Sequence, residues 1–351
     1  MKIQLTKDRL IGTGEKPYII AELGSNHNGD MNLARRLIDA AKACGADCVK
    51  FQSWSKETIF SKKVYKQNYF LADDYRSRTD TNLEKIVENY AISKAELLEM
   101  KQYAEQVGID CASTPFSKGE VDFLVDEFDV DFIKVASMDL NNYQFLHYVA
   151  SKGKPIILST GLSTLGEIDK AVRTIENAGN VQLVLLHCVA IYPPEDNQMN
   201  LKSIDTLARC YPYPVGFSDH TAGTCLPIAA VARGACLVEK HFTLDRKMDG
   251  WDHAMSADID DMTDLVKSAE RVFQAMGSGR VDRVESDERL HAFRRSIVAA
   301  RDVGEGEIFT EDMIDFKRPG DGLPPETISA ILGKSARRDI PYDQMLKFED
   351  Y

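Results

Sequence analysis

The sequence predicts an α/β protein whose main domain is a (β/α)8, or TIM, barrel. Short apolar runs bounded by turn residues recur through the first two thirds of the chain, and there are eight of them, at residues 18–24, 48–53, 110–116, 132–137, 155–160, 181–188, 214–220 and 236–242. Stretches with helical periodicity lie between most of these runs, so strand and helix alternate. Eight such units within about 250 residues are typical of a closed barrel. An open doubly wound sheet usually has fewer strands and a glycine-rich phosphate turn, which this sequence lacks.

Periodicity and helix-forming residues identify the helices that alternate with the strands. The helical stretches include NLARRLIDAAKACG after the first strand, SKAELLEMKQYAEQVG before the third, TLGEIDKAVRTIENAG after the fifth and TCLPIAAVARGA after the seventh. Their apolar residues recur three or four positions apart, as in a helix with one buried face. An eighth helix is expected at 258–277, after the last strand.

Two segments depart from the regular alternation. Residues 54–92 form a long polar and aromatic insertion after the second strand, and long barrel loops are usually lids or partner surfaces. After the eighth helix, GSGRVDRVESDERL is rich in glycine, serine and charge and is typical of a linker. We therefore predict a barrel domain at 1–284 and a second domain at 285–351, with short strand-like pieces, several turns and one short helix typical of a small α+β module.

Composition excludes several classes of protein. The 351 residues are 44% hydrophobic and carry a formal net charge of −12, which argues against a nucleic-acid surface. The N-terminus lacks a signal-peptide pattern, and nowhere do 18 apolar residues run together, so neither secretion nor a membrane span is expected. The seven cysteines form no CxxC pair or zinc-ligand spacing, and reduced thiols predict a cytoplasmic protein.

Polar residues stand near the carboxyl ends of strands that are otherwise apolar. Side chains along a strand alternate between its two faces, so every second residue points into a barrel. Active residues of such barrels lie at the carboxyl ends of the strands. By this alternation the inward candidates are Glu22, Lys50, Gln52, Lys134, Ser159, Ser218, His220, Glu239 and His241.

Two of these candidates are histidines on neighbouring strands. His220 ends the seventh strand and His241 the eighth, and adjacent strands lie about 5 Å apart. Barrel closure puts Glu22 of the first strand beside them, where it can complete or orient a metal site. Imidazole, carboxylate and water ligands suit Mn²⁺, Mg²⁺, Zn²⁺ or Fe²⁺. The alternative is that both histidines are hydrogen-bonded residues of the barrel rim.

Two lysines, Lys50 and Lys134, are also expected to point inward. A buried ammonium group is costly unless an anion pairs with it. One interpretation is a salt bridge to Glu22 or Glu239. The other is that the two cations converge on a phosphate or carboxylate, helped by hydroxyl groups at strand ends, those of Ser137, Ser159 and Thr160. Combined with a metal, the second interpretation predicts an acidic, phosphorylated substrate that needs a Lewis acid.

Eight motifs, in order, resemble those of the sialic acid synthase family. They are AELGSNHNGD, GADCVKFQ, STPFS, IKVASMDLNN, ILSTGLS, GFSDHTAG, VEKHFTLDRKMDGWDHAMS and KRPGDG. The resemblance covers nearly the whole chain and implies a transferase that condenses phosphoenolpyruvate with N-acetylmannosamine or a related hexose. It also implies that the terminal module is the antifreeze-like (SAF) domain of that family.

The resemblance implies a role for each candidate residue. The metal ligands are His220 and His241, with Mn²⁺ or Mg²⁺ near the sugar aldehyde. Phosphoenolpyruvate is held by Lys50, Lys134, Ser137, Ser159 and Ser218. The shared site is lined by Glu22, Gln52, Tyr192, Glu239 and Asp252, of which Glu22 or Glu239 transfers protons and Asp252 contacts sugar hydroxyls. Arg318 of KRPGDG is the arginine that one subunit sends into the barrel of its partner, which implies a domain-swapped homodimer.

Departures from the family pattern fall on the expected sugar side. Val189 and Ala190 stand where many relatives carry a polar pair, and Trp251 stands where a proline is common. N-acetylneuraminate synthase is the leading expectation, with legionaminic or pseudaminic acid synthase, using a diacetamido-trideoxy hexose, as the alternative. Two other classes remain open: a metal-dependent barrel hydrolase or aldolase that uses no phosphoenolpyruvate, and a non-catalytic carbohydrate-binding protein.

Overall fold

The eight apolar runs form eight parallel strands of one sheet. In the computed structural model, which describes residues 1–70, 73–77 and 79–351, these are β1 Tyr18–Gly24, β2 Cys48–Gln52, β3 Asp110–Thr114, β4 Ile133–Val135, β5 Ile156–Ser159, β6 Leu183–Cys188, β7 Val215–Asp219 and β8 Leu237–His241. Their hydrogen-bonded order is β3-β2-β1-β8-β7-β6-β5-β4, and the two end strands, β3 and β4, are also neighbours. The sheet therefore curls into the predicted barrel.

Strand register brings the polar candidates onto two successive inward-facing levels of the barrel. Glu22 is the register partner of both His241 and Lys50, and Ser218 is the partner of Glu239. Register partners on parallel strands face the same side of a sheet. The alternation that the sequence predicts therefore places these five side chains together inside the barrel, at the carboxyl ends of the strands.

Eight helices cover the outside of the barrel. They are α1 Met31–Cys44, α2 Lys94–Val107, α3 Lys118–Asp126, α4 Tyr143–Ser151, α5 Leu165–Asn177, α6 Ser203–Cys210, α7 Cys225–Ala232 and α8 Ile259–Met276. The second shows why they form where they do. It begins with a capping box between Ser93 and Glu96, buries Leu97 and Met100 on one face, and ends at Gly108 in a left-handed conformation.

A hairpin that the sequence did not predict precedes the barrel. Its strands, Lys2–Thr6 and Arg9–Gly12, pair antiparallel and bury Ile3, Leu5 and Ile11 in the barrel core. The Arg9 guanidinium donates to the carbonyls of residues 16 and 17, just before β1. The hairpin therefore lies at the end of the barrel opposite the predicted site.

The insertion after β2 is folded rather than extended. It contains the helices Lys56–Ile59, Lys62–Gln67 and Leu83–Tyr90 and the short paired strands Tyr69–Phe70 and Asp73–Asp74. Trp54, Tyr75, Leu83 and Val87 form an apolar cluster of their own, against which Trp251 packs from the loop after β8. Its role as a lid or partner surface stays a prediction.

The chain divides into two compact units, Met1–Gly277 and Ser278–Tyr351. The predicted boundary between residues 284 and 285 falls inside the second unit, in the linker after α8. The second unit contains the helices Asp287–Phe293 and Ile328–Ile331 and a two-stranded antiparallel sheet of Ser296–Ala299 and Ile314–Lys317. It has a separate apolar core that includes Ile297, Phe309, Leu323, Ile340 and Leu346.

No helix in the described part of the chain combines the length and apolarity needed to cross a membrane.

The outward faces of β7 and β8 carry a buried ion pair. Lys240 donates to the Asp219 carboxylate and, at 2.7 Å, to the carbonyl oxygen of Thr221, while Asp219 accepts from the Thr221 hydroxyl at 2.8 Å. Neither charged side chain is more than 1% exposed. Each precedes one of the two candidate metal ligands, His220 or His241, so this pair fixes the two strands at the point where the histidines leave them.

Replacing Lys240 by methionine should destabilise the barrel strongly. The substitution leaves the Asp219 carboxylate buried without a counter-ion, which costs about 3–5 kcal/mol of unfolding free energy. The double variant Asp219→Asn with Lys240→Met should recover most of that loss, because no unpaired charge remains. Urea unfolding followed by tryptophan fluorescence measures both. A loss below about 1 kcal/mol in the single variant would contradict a tightly coupled pair.

Candidate active site

Two lysines and two glutamates meet inside the carboxyl end of the barrel. Lys50 contacts the Glu22 carboxylate, and its Nζ lies 3.5 Å from Oε2 of Glu239. The Nζ of Lys134 lies 3.3 Å from Oε1 of the same Glu239. None of the four is more than 5% exposed. Of the two interpretations that the sequence leaves open for the lysines, the structure therefore contains the salt bridges to Glu22 and Glu239.

The pKa values of the two glutamates shift in opposite directions although both residues contact Lys50. Burial raises the pKa of Glu22 to about 6, because Lys50 only partly offsets the loss of water. Burial acts on Glu239 too, but Lys134, Lys50 and the Ser218 hydroxyl outweigh it and lower the pKa of Glu239 to about 2. Burial would lower the pKa of Lys50, yet the two carboxylates raise it. Near neutral pH the cluster therefore holds two ammonium groups and one firmly ionised carboxylate, with Glu22 able to exchange a proton.

Polar side chains from neighbouring strands complete this cluster. Gln52 donates to Oε1 of Glu22 at 2.9 Å, and Ser218 donates to Oε1 of Glu239 at 3.0 Å. Lys50 also donates to the Thr114 hydroxyl at 2.7 Å. The Oγ of Ser159 is buried without a hydrogen-bond partner among the described residues. A buried hydroxyl without a partner is uncommon and marks a position that a ligand can satisfy.

The two candidate metal ligands face each other at the rim. The ring centroids of His220 and His241 are 5.6 Å apart, and Tyr192 lies 4.2 Å from the first ring and 6.2 Å from the second. The Nδ1 of His220 lies 2.8 Å from the carbonyl oxygen of Val189 and donates to it, so Nε2 is the ring nitrogen that remains for a metal. Burial lowers the pKa of His241, so this imidazole is neutral, as a metal ligand must be.

A divalent cation fits these two imidazoles but finds few further protein ligands. Metal–imidazole bonds are about 2 Å long, so two rings at this separation can share one ion. Within residues 1–70, 73–77 and 79–351, no group of three or more histidine, cysteine, aspartate or glutamate side chains has the arrangement of a metal site. Glu22, which the sequence offers as a further ligand, is engaged by Lys50 and Gln52 instead. A bound ion would take its other ligands from water and substrate.

Three predicted residues lie outside the charged cluster. The Oγ of Ser137, after β4, accepts from the backbone N–H of Gly161 at 3.0 Å. Asp252, in the loop after β8, accepts from the Ser25 hydroxyl at 3.0 Å and lies 3.8 Å from Nδ1 of His241. Arg318 belongs to the second unit, where its guanidinium lies over the ring of Phe293 at 5.1 Å.

Thr114 and Cys188 belong to the site but are missing from the set predicted from sequence. Thr114 ends β3 as the register partner of Gln52, and Cys188 ends β6 as the register partner of Ser218. The Sγ of Cys188 lies 3.6 Å from Oγ of Ser137. Strand alternation identifies both as inward, because Thr114 shares a face with Ala112 and Cys188 with Leu186.

A cavity of about 390 Å³ lies between the ends of β5 and β6 and the helices α5 and α6, and Cys188 of the site is among its lining residues. Val189 and Ala190, the two departures noted in the sequence, line it together with Leu162 and Ile191. The remaining lining side chains are apolar or carry hydroxyl, thiol or imidazole groups, and none is a lysine, arginine, aspartate or glutamate. The cavity therefore offers apolar surface and no fixed charge.

Comparison with known proteins assigns the chain to a family. The NeuB family model matches residues 37–281, and the SAF domain model matches residues 294–351. The chain belongs to the NeuB family. The predicted resemblance to sialic acid synthases and the predicted terminal SAF domain are thereby confirmed.

Relatives of the chain cover it almost completely. It is 41% identical over 98% of its length to an uncharacterized protein of Methanocaldococcus jannaschii, covering 97% of that protein. It is 37% identical to the N,N'-diacetyllegionaminic acid synthase of Campylobacter jejuni, with 95% of this chain and 99% of that one covered. The crystal structure of a sialic acid synthetase from Leptospira borgpetersenii, in complex with citrate, is 34% identical, with a TM-score of 0.74 over 82% of this chain and 94% of that one. The chain is an enzyme of this condensing, transferase type.

The raised pKa of Glu22 should appear in the pH dependence of stability. Between the ordinary value of 4.5 and about 6, the folded chain binds a proton that the unfolded chain has released. That contribution is complete below pH 4.5 and is lost as pH rises through 6, by about 2 kcal/mol. The unfolding free energy of the wild type minus that of Glu22→Gln should therefore fall by this amount from pH 4.5 to pH 7.

Glu239→Gln provides a control of opposite sign. Because the folded pKa of Glu239 is about 2, the stability it contributes is present above pH 4.5 and is lost as pH falls toward 2. Urea titrations at four pH values compare the two variants. A flat difference between pH 4.5 and 7 for Glu22→Gln would contradict a buried carboxyl with a raised pKa.

Proposed function

We propose that this enzyme condenses phosphoenolpyruvate with an N-acetylated amino hexose to give a nonulosonic acid and phosphate. The observation that carries this proposal is the buried cluster of two ammonium groups beside a pair of facing imidazoles at one end of the barrel. An enol phosphate supplies the anion that such cations attract, and a sugar aldehyde is the electrophile that a metal-bound site activates. Family membership supports the same reaction type.

Phosphoenolpyruvate is held by the cations and hydroxyl groups deepest in the site. Lys50 and Lys134 exchange contacts with the glutamates for contacts with the phosphate and carboxylate of the substrate. Ser137, Ser218 and Ser159 contribute hydroxyl groups, and the unpartnered Oγ of Ser159 gains a partner on binding. The anionic substrate then stabilises the two buried ammonium groups, as the glutamates do in its absence.

His220 and His241 hold the divalent cation, Mn²⁺ or Mg²⁺. When bound, the cation supplies Lewis-acid stabilisation of the negative charge that develops on the aldehyde oxygen. The carbonyl of Val189 orients His220 for this task through Nδ1. Neutral His241 needs no deprotonation before it binds the ion.

Glu22 is the residue best suited to proton transfer. Carbon 3 of phosphoenolpyruvate attacks the aldehyde, water adds at carbon 2, and the tetrahedral intermediate expels phosphate by cleavage of its C–O bond. A carboxyl group with a pKa of about 6 both accepts and returns a proton near neutral pH. Glu239, whose pKa is about 2, stays ionised and is the counter-ion of Lys134 and Lys50.

The hexose lies on the rim side, against Tyr192, Gln52 and Asp252. Arg318 reaches its N-acetyl group from a second copy of the chain, in a domain-swapped homodimer. Two observations support the dimer: Arg318 is exposed, and the barrel rim exposes apolar side chains at Met138 and Leu162, 57% and 73% of whose surfaces face solvent.

The side chains of Val189 and Ala190 support a second candidate hexose. N-acetylmannosamine, the leading expectation from sequence, presents hydroxyl groups along its length. Val189 and Ala190 offer no hydrogen bond to them and line a cavity without fixed charge. A diacetamido-trideoxy hexose places a methyl group and an acetamido methyl where apolar surface is available. The legionaminic or pseudaminic acid synthase reaction is therefore the second candidate.

Phosphate release tests the proposed reaction directly. Purified enzyme with Mn²⁺ and phosphoenolpyruvate should release phosphate only when an amino hexose is added, and N-acetylmannosamine should be compared with diacetamido-trideoxy hexoses. Lys134→Met is the inactive control, since it removes one of the two cations. Phosphate release without any hexose, or sugar cleavage without phosphoenolpyruvate, would favour the barrel hydrolase or aldolase. Sugar binding without turnover would favour a carbohydrate-binding protein.

Loss of either rim histidine should abolish metal binding and turnover together. We expect His220→Ala and His241→Ala to weaken Mn²⁺ binding by more than about 100-fold, since even changes behind the ligands cost metal sites about 10–100-fold. The paramagnetic resonance of free Mn²⁺ measures the affinity without any substrate. His147→Ala, on the outer helix α4, should leave affinity and rate unchanged. Unchanged Mn²⁺ affinity in either rim variant would refute the assignment.

A further inference from the structure

The only two tryptophans of the chain lie together beside the site. The ring centroids of Trp54 and Trp251 are 6.1 Å apart, and Trp251 meets Tyr90 edge to face at 5.3 Å. The Nε1 of Trp251 donates to the hydroxyl of Tyr75 at 3.1 Å. Three of these four residues belong to the 54–92 insertion, and the fourth belongs to the loop after β8. We refer to these four residues as the aromatic cluster.

One end of the aromatic cluster fixes Gln52. The Nε1 of Trp54, which is 3% exposed, donates to Oε1 of Gln52 at 3.0 Å. The other end of the same amide donates to Glu22 at 2.9 Å. An indole N–H only donates and a carboxylate only accepts, so these two contacts determine which way the amide points. Without the indole donor, Gln52 is free to rotate away from Glu22.

The other end of the aromatic cluster fixes Asp252. Trp251 is its immediate neighbour in the chain and is anchored by Trp54, Tyr75 and Tyr90. Asp252 in turn accepts from Ser25 and lies 3.8 Å from Nδ1 of His241. Anchoring of the Trp251 ring therefore limits where the Asp252 carboxylate can lie relative to the rim histidines.

We propose that the aromatic cluster positions Gln52 and Asp252 and so sets which hexose the site accepts. This inference rests on the proposed function, in which both residues contact the sugar. Trp54 and Trp251 are positioning residues, because they act through their neighbours. The insertion thus packs against the proposed sugar side of the barrel, and it contacts the charged cluster only indirectly, through the Gln52 amide that donates to Glu22.

Two substitutions test the proposal against a matched control. Trp54→Phe keeps a ring and removes the donor to Gln52, and Trp251→Phe removes the donor to Tyr75. Tyr65→Phe, also in the insertion, removes a hydrogen bond to the carbonyl of Lys56 and touches neither Gln52 nor Asp252.

With the best hexose found for the wild type, both tryptophan variants should raise the hexose KM about tenfold, which corresponds to the loss of one hydrogen bond. Their KM for phosphoenolpyruvate should stay within about twofold of the wild-type value, as should both constants of the control.

A second measurement needs no turnover. Hydrogen exchange of the backbone amides at 250–256 should become about tenfold faster in Trp251→Phe than in the wild type and in Tyr65→Phe, with unchanged Tm. Unchanged exchange, or equal increases in KM for both substrates, would overturn the proposal. If the wild type releases phosphate with no hexose, the proposed function fails, whereas the exchange comparison still decides whether the aromatic cluster positions the Asp252 loop.

Discussion

Charge compensation inside the barrel is the constraint on which the site depends. No more than 4% of the surface of Lys50 or Lys134 is exposed, and an unpaired ammonium group there would cost several kcal/mol of folding free energy. Glu22 and Glu239 balance them, which draws the ends of four strands, β1, β2, β4 and β8, toward one point. Folding therefore assembles the two cations at the carboxyl end of the barrel, where the proposed reaction takes place.

The same charge compensation gives the carboxyl groups of Glu22 and Glu239 different pKa values. Glu239 is flanked by both lysines and stays ionised, whereas Glu22 has one lysine and a neutral amide beside it and retains a proton until about pH 6. Environment, and not residue type, thus separates a fixed counter-charge from a group that exchanges protons. On the outer faces of β7 and β8, Lys240 and Asp219 form a second buried ion pair. This pair has a structural role, because it stabilises the strands that lead to the two histidines.

Strand periodicity accounts for most of what the sequence predicts correctly. A period of two fixes which side chains face inward, so Glu22, Lys50 and Ser218 follow from eight apolar runs alone. Short-range patterns do not reveal partners: whether Lys134 meets Glu239 or a ligand depends on strands far apart in the chain. The N-terminal hairpin was missed because its strands have only five and four residues and each begins with a charged residue. Arg318 lies in a second compact unit, and its role depends on a second copy of the chain, which a single sequence does not specify.

The residues of the proposed reaction and those proposed to select the hexose lie on different parts of the chain. The lysine cluster and His241 lie on the regular strands and His220 directly follows one, whereas Val189, Ala190 and Trp251 lie on loops. Loops change without disturbing the barrel core, so the same condensation can serve different hexoses. The aromatic cluster joins the insertion to two residues of the proposed sugar side, Gln52 through Trp54 and Asp252 through its neighbour Trp251.

A crystal structure after soaking with Mn²⁺ and phosphoenolpyruvate tests the central claim most directly. Anomalous scattering from manganese should give a peak between the rings of His220 and His241, and the phosphate should lie in hydrogen-bond contact with Lys50 and Lys134. Manganese bound elsewhere, or phosphoenolpyruvate outside the barrel while both lysines keep their glutamate contacts, would contradict it.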